Sequence, residues 1–460
     1  MNQHAVQQFL PFKESIRVNP ELFAHLLEYL AATSVVGYIV RNNEVSIDEE
    51  FEALCQKHLN SIKHQKESFQ CVDQSRTIDQ RPILVLNMLR KACLYYHRTY
   101  GKPLPDTYLF ILMSDHHMWE FPNHRYYKEV CKLPVFCLAR PANCRINILF
   151  PETTFERFDC DSKFVSPSEV GSCLHAFTWS NSVKKFQEES KEKCQLENVL
   201  FFKGSCSGQK AHNFRFRFRE HHRRRFPHST LPLKFEESHQ ANYEPAFAWN
   251  KYKYVLNLPG HYGWSNRLKY LLLLNQSLVI DIRLEWRGYK PSPKDPSIQV
   301  LDYCDEPFET FLDLVIPREG YLHLTYIYEK NKLRQQDNAL VKVYDQLEQL
   351  YRRLETEPGF YRECLERQNK TKEVLSFLTD ERIYEYISQC IIENAKCIKL
   401  GATGISPRSK VDILSNFCRT LFEQRNVVCE EILPFYIVHS CICITLSHQK
   451  YLDEGLLLLC

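Results

Sequence analysis

The sequence predicts an α/β protein built on two separate sheets. Short apolar runs alternate with helical patterns in two blocks of the chain, one beginning at Tyr108–Met113 and the other at Asn198–Phe202. In the second block a strand Tyr252–Asn257, an apolar helical segment Arg267–Leu274 and a strand Ser277–Asp281 follow in the order of a βαβ unit. Continuous apolar runs are typical of parallel strands that are buried on both faces, so we predict parallel sheets covered by helices.

The composition indicates a folded protein that lacks the common nucleotide-binding fingerprints. The chain has 460 residues, 44% of them hydrophobic, which is enough for two large domains and excludes a disordered protein. It contains only 13 glycines, whereas average usage of about 7% would give roughly 32. No two glycines stand at i and i+2 or five residues apart. This spacing excludes both the G-x-G-x-x-G fingerprint and the phosphate loop.

The charge and the cysteine content indicate which partners and which cellular compartment to expect. The net charge of +3 gives no global attraction to nucleic acid or to an anionic membrane. The 19 cysteines include no C-x-x-C pair, and their odd number leaves at least one free thiol, as in a reducing compartment. Residues 1–17 carry no apolar run of signal-peptide length, and the longest apolar stretch, Ile432–Leu446, is too short to span a bilayer. We expect a cytoplasmic protein without a transmembrane segment, with the secretory-pathway lumen as the alternative.

The pattern along the chain divides it into four regions. Helical periodicity dominates the first hundred residues, with predicted helices at Glu21–Leu30, Glu49–His64 and Pro82–His97. Two further helices are predicted at Leu333–Glu357 and Glu373–Ala395. The predicted regions are a helical N-terminal region at 1–100 that contributes to the first domain, a first domain at 101–195, a second domain at 196–400 and a C-terminal extension at 401–460.

Ligands of such sheets bind beyond the carboxyl ends of the strands, and one loop there suits a phosphate group. Gly260 and Gly263 flank the start of a predicted helix, Ser265 is placed to cap it, and Arg267 and Lys269 lie in its first turns. A helix N-terminus with a hydroxyl and cations can bind a diphosphate without a glycine-rich loop. An ordinary capped turn between a strand and a helix explains the same residues equally well.

Three other segments contain residues that could carry chemistry but also have a plain structural interpretation. Asp115 follows an apolar strand and is either a general base or a helix cap, and the adjacent His116 and His117 lack the spacing of a metal site. The acidic pair around Cys160 has the D-x-D form, which arises easily by chance. The basic and aromatic segment Phe214–Phe226 suits either nucleic-acid binding or, more commonly, an amphipathic helix face.

Taken in order, these motifs resemble glycosyltransferase family 90, which includes Rumi-type protein O-glucosyltransferases and capsule-associated xylosyltransferases. The resemblance runs over roughly residues 80–400 and weakens after 285. The segments that carry it include Pro105–Asp115, Leu133–Phe136, Ile148–Pro151, Leu200–Ser205, Tyr252–Gly260, Ser265–Lys269 and Ser277–Val279.

The resemblance implies a GT-B architecture, in which two Rossmann-like domains face a central cleft, with helical N- and C-terminal additions. It implies that Asp115 is the general base and that Lys203, Gly204 and Ser205 correspond to the F-R-G-S loop of the family. It further implies that the loop with Gly260 and Gly263, together with Ser265, Arg267 and Lys269, binds the nucleotide sugar. Lys203 and Ser114 stand where the family usually has arginine.

The implied function is an inverting transfer of glucose or xylose from a UDP-sugar to a hydroxyl of a protein or glycan. The resemblance implies no metal and no cofactor other than the UDP-sugar donor substrate, because the cations can stabilise the departing UDP. Two alternatives remain open at this stage. One is a catalytically impaired family member that binds a sugar nucleotide or a glycan, and the other is a nucleic-acid-binding protein that uses residues 214–226.

Overall fold

The computed structural model describes residues 2–12, 15–17, 22, 25–26, 35–49, 51, 75–113, 127–141, 147–155, 178–189, 195–204, 206, 214–225, 228–237, 246–260, 265, 267–287, 308–329 and 333–400. The strands are β1 Ile16–Arg17, β2 Val35–Arg41, β3 Glu44–Ile47, β4 Thr107–Leu112, β5 Val135–Cys137, β6 Ala139–Pro141, β7 Asn147–Leu149, β8 Glu197–Gly204, β9 Leu233–Glu237, β10 Tyr252–Asn257, β11 Leu278–Arg287, β12 Phe308–Thr310, β13 Leu322–Glu329 and β14 Ile398–Lys399. The helices are α1 Asn2–Phe9, α2 Ser75–Tyr100, α3 Tyr127–Val130, α4 Trp179–Glu189, α5 Phe214–Arg225, α6 Leu268–Leu271, α7 Phe311–Val315, α8 Leu333–Thr356, α9 Pro358–Phe377 and α10 Asp380–Cys397. These elements form a mixed α/β fold with parallel strands, as predicted.

The first of two five-stranded sheets, called here the N-terminal sheet, has the order β3-β2-β4-β5-β7. Strands β4, β5 and β7 are parallel, and every residue of β4 is buried, which confirms the strand predicted at Tyr108–Met113. The antiparallel hairpin of β2 and β3 was not predicted, since we expected this region to be helical. Its turn consists of Asn42 and Asn43, with φ angles of 52° and 65°, which is the backbone that a two-residue hairpin turn requires.

The second sheet, called here the C-terminal sheet, has the order β13-β11-β10-β8-β9, and its strands are parallel throughout. The predicted strands Asn198–Phe202, Tyr252–Asn257 and Ser277–Asp281 are confirmed as β8, β10 and β11. The first connection leads from β8 outward to β9, whereas the chain then continues with β10 on the other side of β8. The direction of winding therefore reverses between β8 and β10, which makes this pair a topological switch point.

Alternate residues of β8 face two different cores. Leu200 and Phe202 pack with Phe218 of α5 and Leu347 of α8 on one face of the C-terminal sheet. Phe201 points to the opposite face, into a core that also includes residues of the N-terminal sheet. Successive side chains of a strand point to opposite faces, so a continuous apolar run satisfies both cores. One apolar core is therefore shared between the two sheets.

The structure has two helices where the sequence predicts one, and the second of them packs on the N-terminal sheet. The helix predicted at Glu373–Ala395 is divided into α9 and α10, and Thr379 accepts a hydrogen bond from the amide of Arg382 at the start of α10. Asn394 of α10 donates to Thr107 Oγ1 and to the carbonyl of Tyr108, at 2.9 Å each. Helix α10 thus packs on the N-terminal sheet, although its residues lie within the region 196–400 that we assigned to the second domain.

Two further links join the sheets. Strand β6 follows β5 and pairs antiparallel with β12, which follows β11 in the chain. Ser180 of α4 and Asp380 of α10 exchange hydrogen bonds of 3.1 Å and 3.0 Å. Among the described residues, no helix is long and apolar enough to span a membrane. The region 401–460, the acidic pair around Cys160 and most of the helices predicted at Glu21–Leu30 and Glu49–His64 lie outside the described residues.

Candidate functional site

The switch point brings the ends of β8 and β10 together. Strand β8 ends at Gly204, and β10 ends at Asn257 and is followed by Leu258, Pro259 and the half-buried Gly260. Val255 lies opposite Phe201 in the parallel register. In the order of the sheet, β9 lies on one side of this pair and β11 on the other. A crevice at such a point is the usual ligand position in an open α/β sheet.

Arg267 connects the two strand ends. It precedes α6, in the segment that follows β10, and its Nη1 donates to the carbonyl of Lys203 at the end of β8. The guanidinium carbon lies 5.4 Å from the ring centroid of Trp249 and 5.8 Å from that of Phe202. Contact with two aromatic faces and a carbonyl fixes the planar group in one position. The structure thus brings two predicted site residues, Lys203 and Arg267, into contact.

Gly204 is required by this close approach. A Cβ atom at residue 204 would lie 2.6 Å from Cζ of Phe202 and 3.1 Å from Nη1 of Arg267. Non-bonded carbon atoms do not normally approach below about 3.5 Å. A larger residue would therefore displace Phe202, Arg267 or both. The packing of these two side chains explains why residue 204 is a glycine.

Lys203 is 7% exposed, and its side chain lies beside an acidic partner. Its Nζ is 3.2 Å from the carboxylate of Glu236 on the adjacent strand β9, where the two residues are directly opposite in the register. The carboxylate offsets part of the lysine charge. Lys203 consequently contributes less positive potential to the crevice than an isolated cation would.

Arg215, which we had not singled out as a site residue, is the second arginine at the switch point. Its Nη2 donates to the carbonyl of Leu258 at 3.2 Å, and its guanidinium carbon lies 5.6 Å from the ring centroid of Phe202. Burial lowers the pKa of Arg215 to about 9, and the positive charge of Arg267 acts in the same direction. The sequence signal was an arginine at the start of the first helix after β8, within the segment Phe214–Phe226.

Four other residues of that segment are engaged within the fold. Phe214 and Phe218 of α5 are buried in the core of the C-terminal sheet, so their rings are not available to stack on bases. Arg219 pairs with Glu237 at 2.6 Å, and Arg225 pairs with Asp345 of α8. These contacts place α5 against the sheet as a packed helix, which is the commoner of the two interpretations of the segment.

The geometry of α6 corrects the helix cap predicted at Ser265 and the phosphate contact predicted at Lys269. The helix has only four residues and begins after Arg267, without a side-chain cap, so Ser265 contributes its carbonyl to Leu268 rather than a hydroxyl cap. Lys269 is fully buried, and its Nζ lies 2.7 Å from Glu152 and 2.6 Å from Thr154 Oγ1. The ammonium therefore faces a buried carboxylate and not the crevice, and one helical turn supplies little dipole.

A second polar group, also missed by the sequence analysis, lies next to the switch point. Asn257 at the end of β10 donates to Asp281 of β11 at 2.7 Å, and the two residues are directly opposite in the register. Arg283 bridges Asp281 and Asp313 at 3.0 Å each. Burial raises the pKa of the Asp281 carboxyl, while Arg283 and Asn257 oppose that shift.

The remaining predicted site residues, Asp115, Ser205 and Gly263, lie outside the described residues. Among the described residues, no group of three or more histidine, cysteine, aspartate or glutamate side chains is arranged to hold a metal ion. No family model matches the chain, and no curated protein matches it.

Proposed function

We propose that this protein is an inverting glycosyltransferase that moves glucose or xylose from a UDP-sugar to an acceptor hydroxyl of a protein or glycan. The observation that carries the proposal is the bridge from Arg267 to the carbonyl of Lys203 across the switch point. It places a guanidinium, the residue type best suited to bind a diphosphate, at the position where α/β sheets bind ligands. The glycine at residue 204 leaves room for Arg267 to lie this close to the end of β8.

A GT-B architecture is the finer form of this proposal. Two five-stranded sheets with parallel strands support it. The antiparallel pairing of β6 with β12, which links the two sheets, supports it as well. In this architecture the C-terminal sheet binds the donor and the N-terminal sheet carries the acceptor side. The end of β4 at Leu112, three residues before Asp115, supports the proposed base, because β4 is a central strand of that sheet.

The proposed reaction is a direct displacement at the anomeric carbon. Asp115 removes the proton of the acceptor hydroxyl as its oxygen forms the new bond to that carbon. The bond from the carbon to the UDP oxygen breaks, and its electron pair remains on the diphosphate. Arg267 stabilises the charge that grows there, which is where fixed cations lower the barrier most. Lys203, Gly204, Ser205, Gly260, Gly263 and Ser265 hold the donor around it, whereas Lys269 supports the fold.

The test is a screen of UDP-sugars for transfer or donor hydrolysis, with and without a chelator. Transfer is expected for UDP-glucose or UDP-xylose, and it should fall by at least about a hundredfold in Asp115→Asn and in Arg267→Ala. Arg362→Ala, which removes an exposed arginine of α9, is the matched control and should leave turnover unchanged. Undiminished transfer by Asp115→Asn would sink the assignment of the base.

A second candidate function is a binding protein of the same fold that has lost catalysis. The contact of Lys203 with Glu236 favours it, because a compensated cation stabilises a leaving diphosphate less than the family's arginine would. Calorimetry separates the two functions. UDP binding without turnover of any donor in the panel supports the binding protein, whereas turnover of one donor excludes it.

A further inference from the structure

Strand β13 is an edge of the C-terminal sheet in the part of the chain that the structure describes. It pairs with β11 without a bulge from Leu322 to Glu329, and no described strand lies on its other side. Edge strands of natural sheets are commonly protected by lysine, proline or a bulge, and β13 contains none of these. The backbone amides and carbonyls that face away from β11 are therefore arranged to pair with a further strand.

A groove runs along this edge, between β13 and α8. One cavity of about 520 Å³ is lined on the strand side by His323, Leu324 and Thr325. A second cavity of about 450 Å³ continues the groove along the helix. The polar side chains of α8 that line the first cavity follow one another at the spacing of a single helix face, and they are Lys342, Gln346, Gln349 and Arg353.

The helix side of the groove is cationic. Lys342 is exposed and has no ion-pair partner among the described residues. Arg353 is the second cation, and its pair with Glu357 at 2.9 Å is exposed to solvent. The described residues that line the first cavity include no aspartate or glutamate, and Asp345 in the second cavity is paired with Arg225. The groove therefore favours a ligand that carries negative charge.

We propose that this groove binds an extended acidic segment of a partner protein, which adds a strand to β13 and places its carboxylates beside Lys342 and Arg353. A polypeptide is the ligand that suits a strand edge, since its amides and carbonyls recur at the spacing of β13. From Lys342 to Arg353 the helix rises by about 16 Å, which is the length of roughly five residues of strand. Alternate side chains of the added strand face α8, so acidic residues at every second position would meet the cations.

This docking surface is separate from the crevice at the switch point. In the order of the sheet, β11 lies between β13 and β10. The inference consequently does not depend on the proposed function, and binding of the partner segment requires no nucleotide.

The first experiment measures the binding of three fluorescently labelled octapeptides to the full chain by anisotropy. One peptide alternates glutamate with threonine, and the second alternates lysine with threonine. The third is the glutamate peptide with a methyl group on each backbone nitrogen, which keeps the charges but removes the amide donors that strand pairing needs. The glutamate peptide should bind, and the other two should bind at least about tenfold more weakly.

A charge reversal in the groove tests the electrostatic part of the proposal. Lys342→Glu replaces an attraction by a repulsion, so it should weaken the binding of the glutamate peptide roughly fivefold to tenfold. The same variant should bind the lysine peptide more tightly than the unsubstituted chain does. Lys370→Glu, which makes the same change at an exposed lysine of α9, is the matched control and should bind all three peptides normally.

Hydrogen exchange locates the bound peptide. Exchange of the amides in residues 322–329 should slow when the glutamate peptide is added, whereas exchange in β7, an edge strand of the N-terminal sheet, should not change. Equal binding of the glutamate peptide and its methylated form would reveal attraction by charge alone and would overturn the strand addition. Absence of binding by the glutamate peptide, or slowed exchange at β7 without any at β13, would overturn the docking surface and leave the proposed function standing.

Discussion

The ammonium of Lys269 lies 2.7 Å from the carboxylate of Glu152, and both side chains are buried. Lys269 belongs to α6 beside the C-terminal sheet, whereas Glu152 follows β7 of the N-terminal sheet. Thr154 donates to the same carboxylate at 3.0 Å and contacts Lys269 as well. This buried ion pair therefore joins the two sheets.

Removal of one partner of this pair should destabilise the protein strongly. We expect Lys269→Met to lower the free energy of unfolding by about 3–5 kcal/mol, because Glu152 would remain buried without its ion-pair partner. The double variant Lys269→Met with Glu152→Leu should recover most of the loss. Urea denaturation measures both values. Arg367→Met, which breaks an exposed pair on α9, is the control and should cost less than about 1 kcal/mol. A similar small cost for Lys269→Met would contradict the structural role.

Substitution of Gly204 should both weaken UDP binding and destabilise the fold, because an added side chain clashes with its neighbours. In Gly204→Ala the new Cβ would lie 2.6 Å from Phe202 and 3.1 Å from Arg267. We expect loss of UDP affinity together with destabilisation of about 1–3 kcal/mol, the usual cost of overpacking. Gly359→Ala is the control, since nothing lies within 4 Å of its added Cβ, and it should be neutral or slightly stabilising. Unchanged UDP binding by Gly204→Ala would remove the glycine from the site.

The amide of Gln368 replaces missing backbone partners at the start of β11. Its Oε1 accepts from the amide of Val279 at 2.8 Å, and its Nε2 donates to the carbonyl of Ser277 at 2.9 Å. Gln368→Leu leaves both buried groups without these bonds, so we expect a cost of about 1–3 kcal/mol for each. Denaturation of Gln349→Leu, an exposed glutamine on α8, provides the comparison. Equal stability of the two variants would show that Gln368 is dispensable.

His323 should make stability depend on pH in a defined direction. Burial, aided by Arg283, lowers the pKa of its ring in the folded protein. The unfolded chain therefore binds the proton more readily than the folded protein. The contribution of the neutral His323 ring to stability is fully present above about pH 6.5 and is lost as the pH falls below it. Denaturation at pH 7.5 and pH 5.5 should show a smaller loss in His323→Asn than in the unsubstituted chain. His97→Asn, which changes an exposed histidine of α2, should not alter the loss.

The strands were predictable where both faces are buried. Runs such as those of β4, β8 and β10 are apolar without interruption, because parallel interior strands contact side chains on both faces. The hairpin of β2 and β3 was missed although Asn42 and Asn43 supply a turn signal. Strand β2 is also interior in its sheet, so it lacks the alternation that marks a surface hairpin.

The candidate site was predictable only in part. The contact among Lys203, Gly204 and Arg267 agrees with the prediction. It was predictable because β8 and β10 are parallel neighbours, so their carboxyl ends lie at the same edge of the sheet. Lys269 was misjudged, since residues two apart in a helical turn do not share a face, and it points away from Arg267. Arg215 was missed because its place beside Phe202 results from tertiary packing of α5 and not from any local spacing.

The reciprocal hydrogen bonds of Ser180 and Asp380 join the two points at which the chain enters and leaves the C-terminal sheet. Ser180 lies in the helix that precedes β8, and Asp380 begins the helix that returns to the N-terminal sheet. The whole C-terminal sheet is thus an insertion whose entry and exit are fastened together at one point. A rotation of one sheet against the other would have to turn about these two hydrogen bonds or break them, and it would also have to break the pairing of β6 with β12.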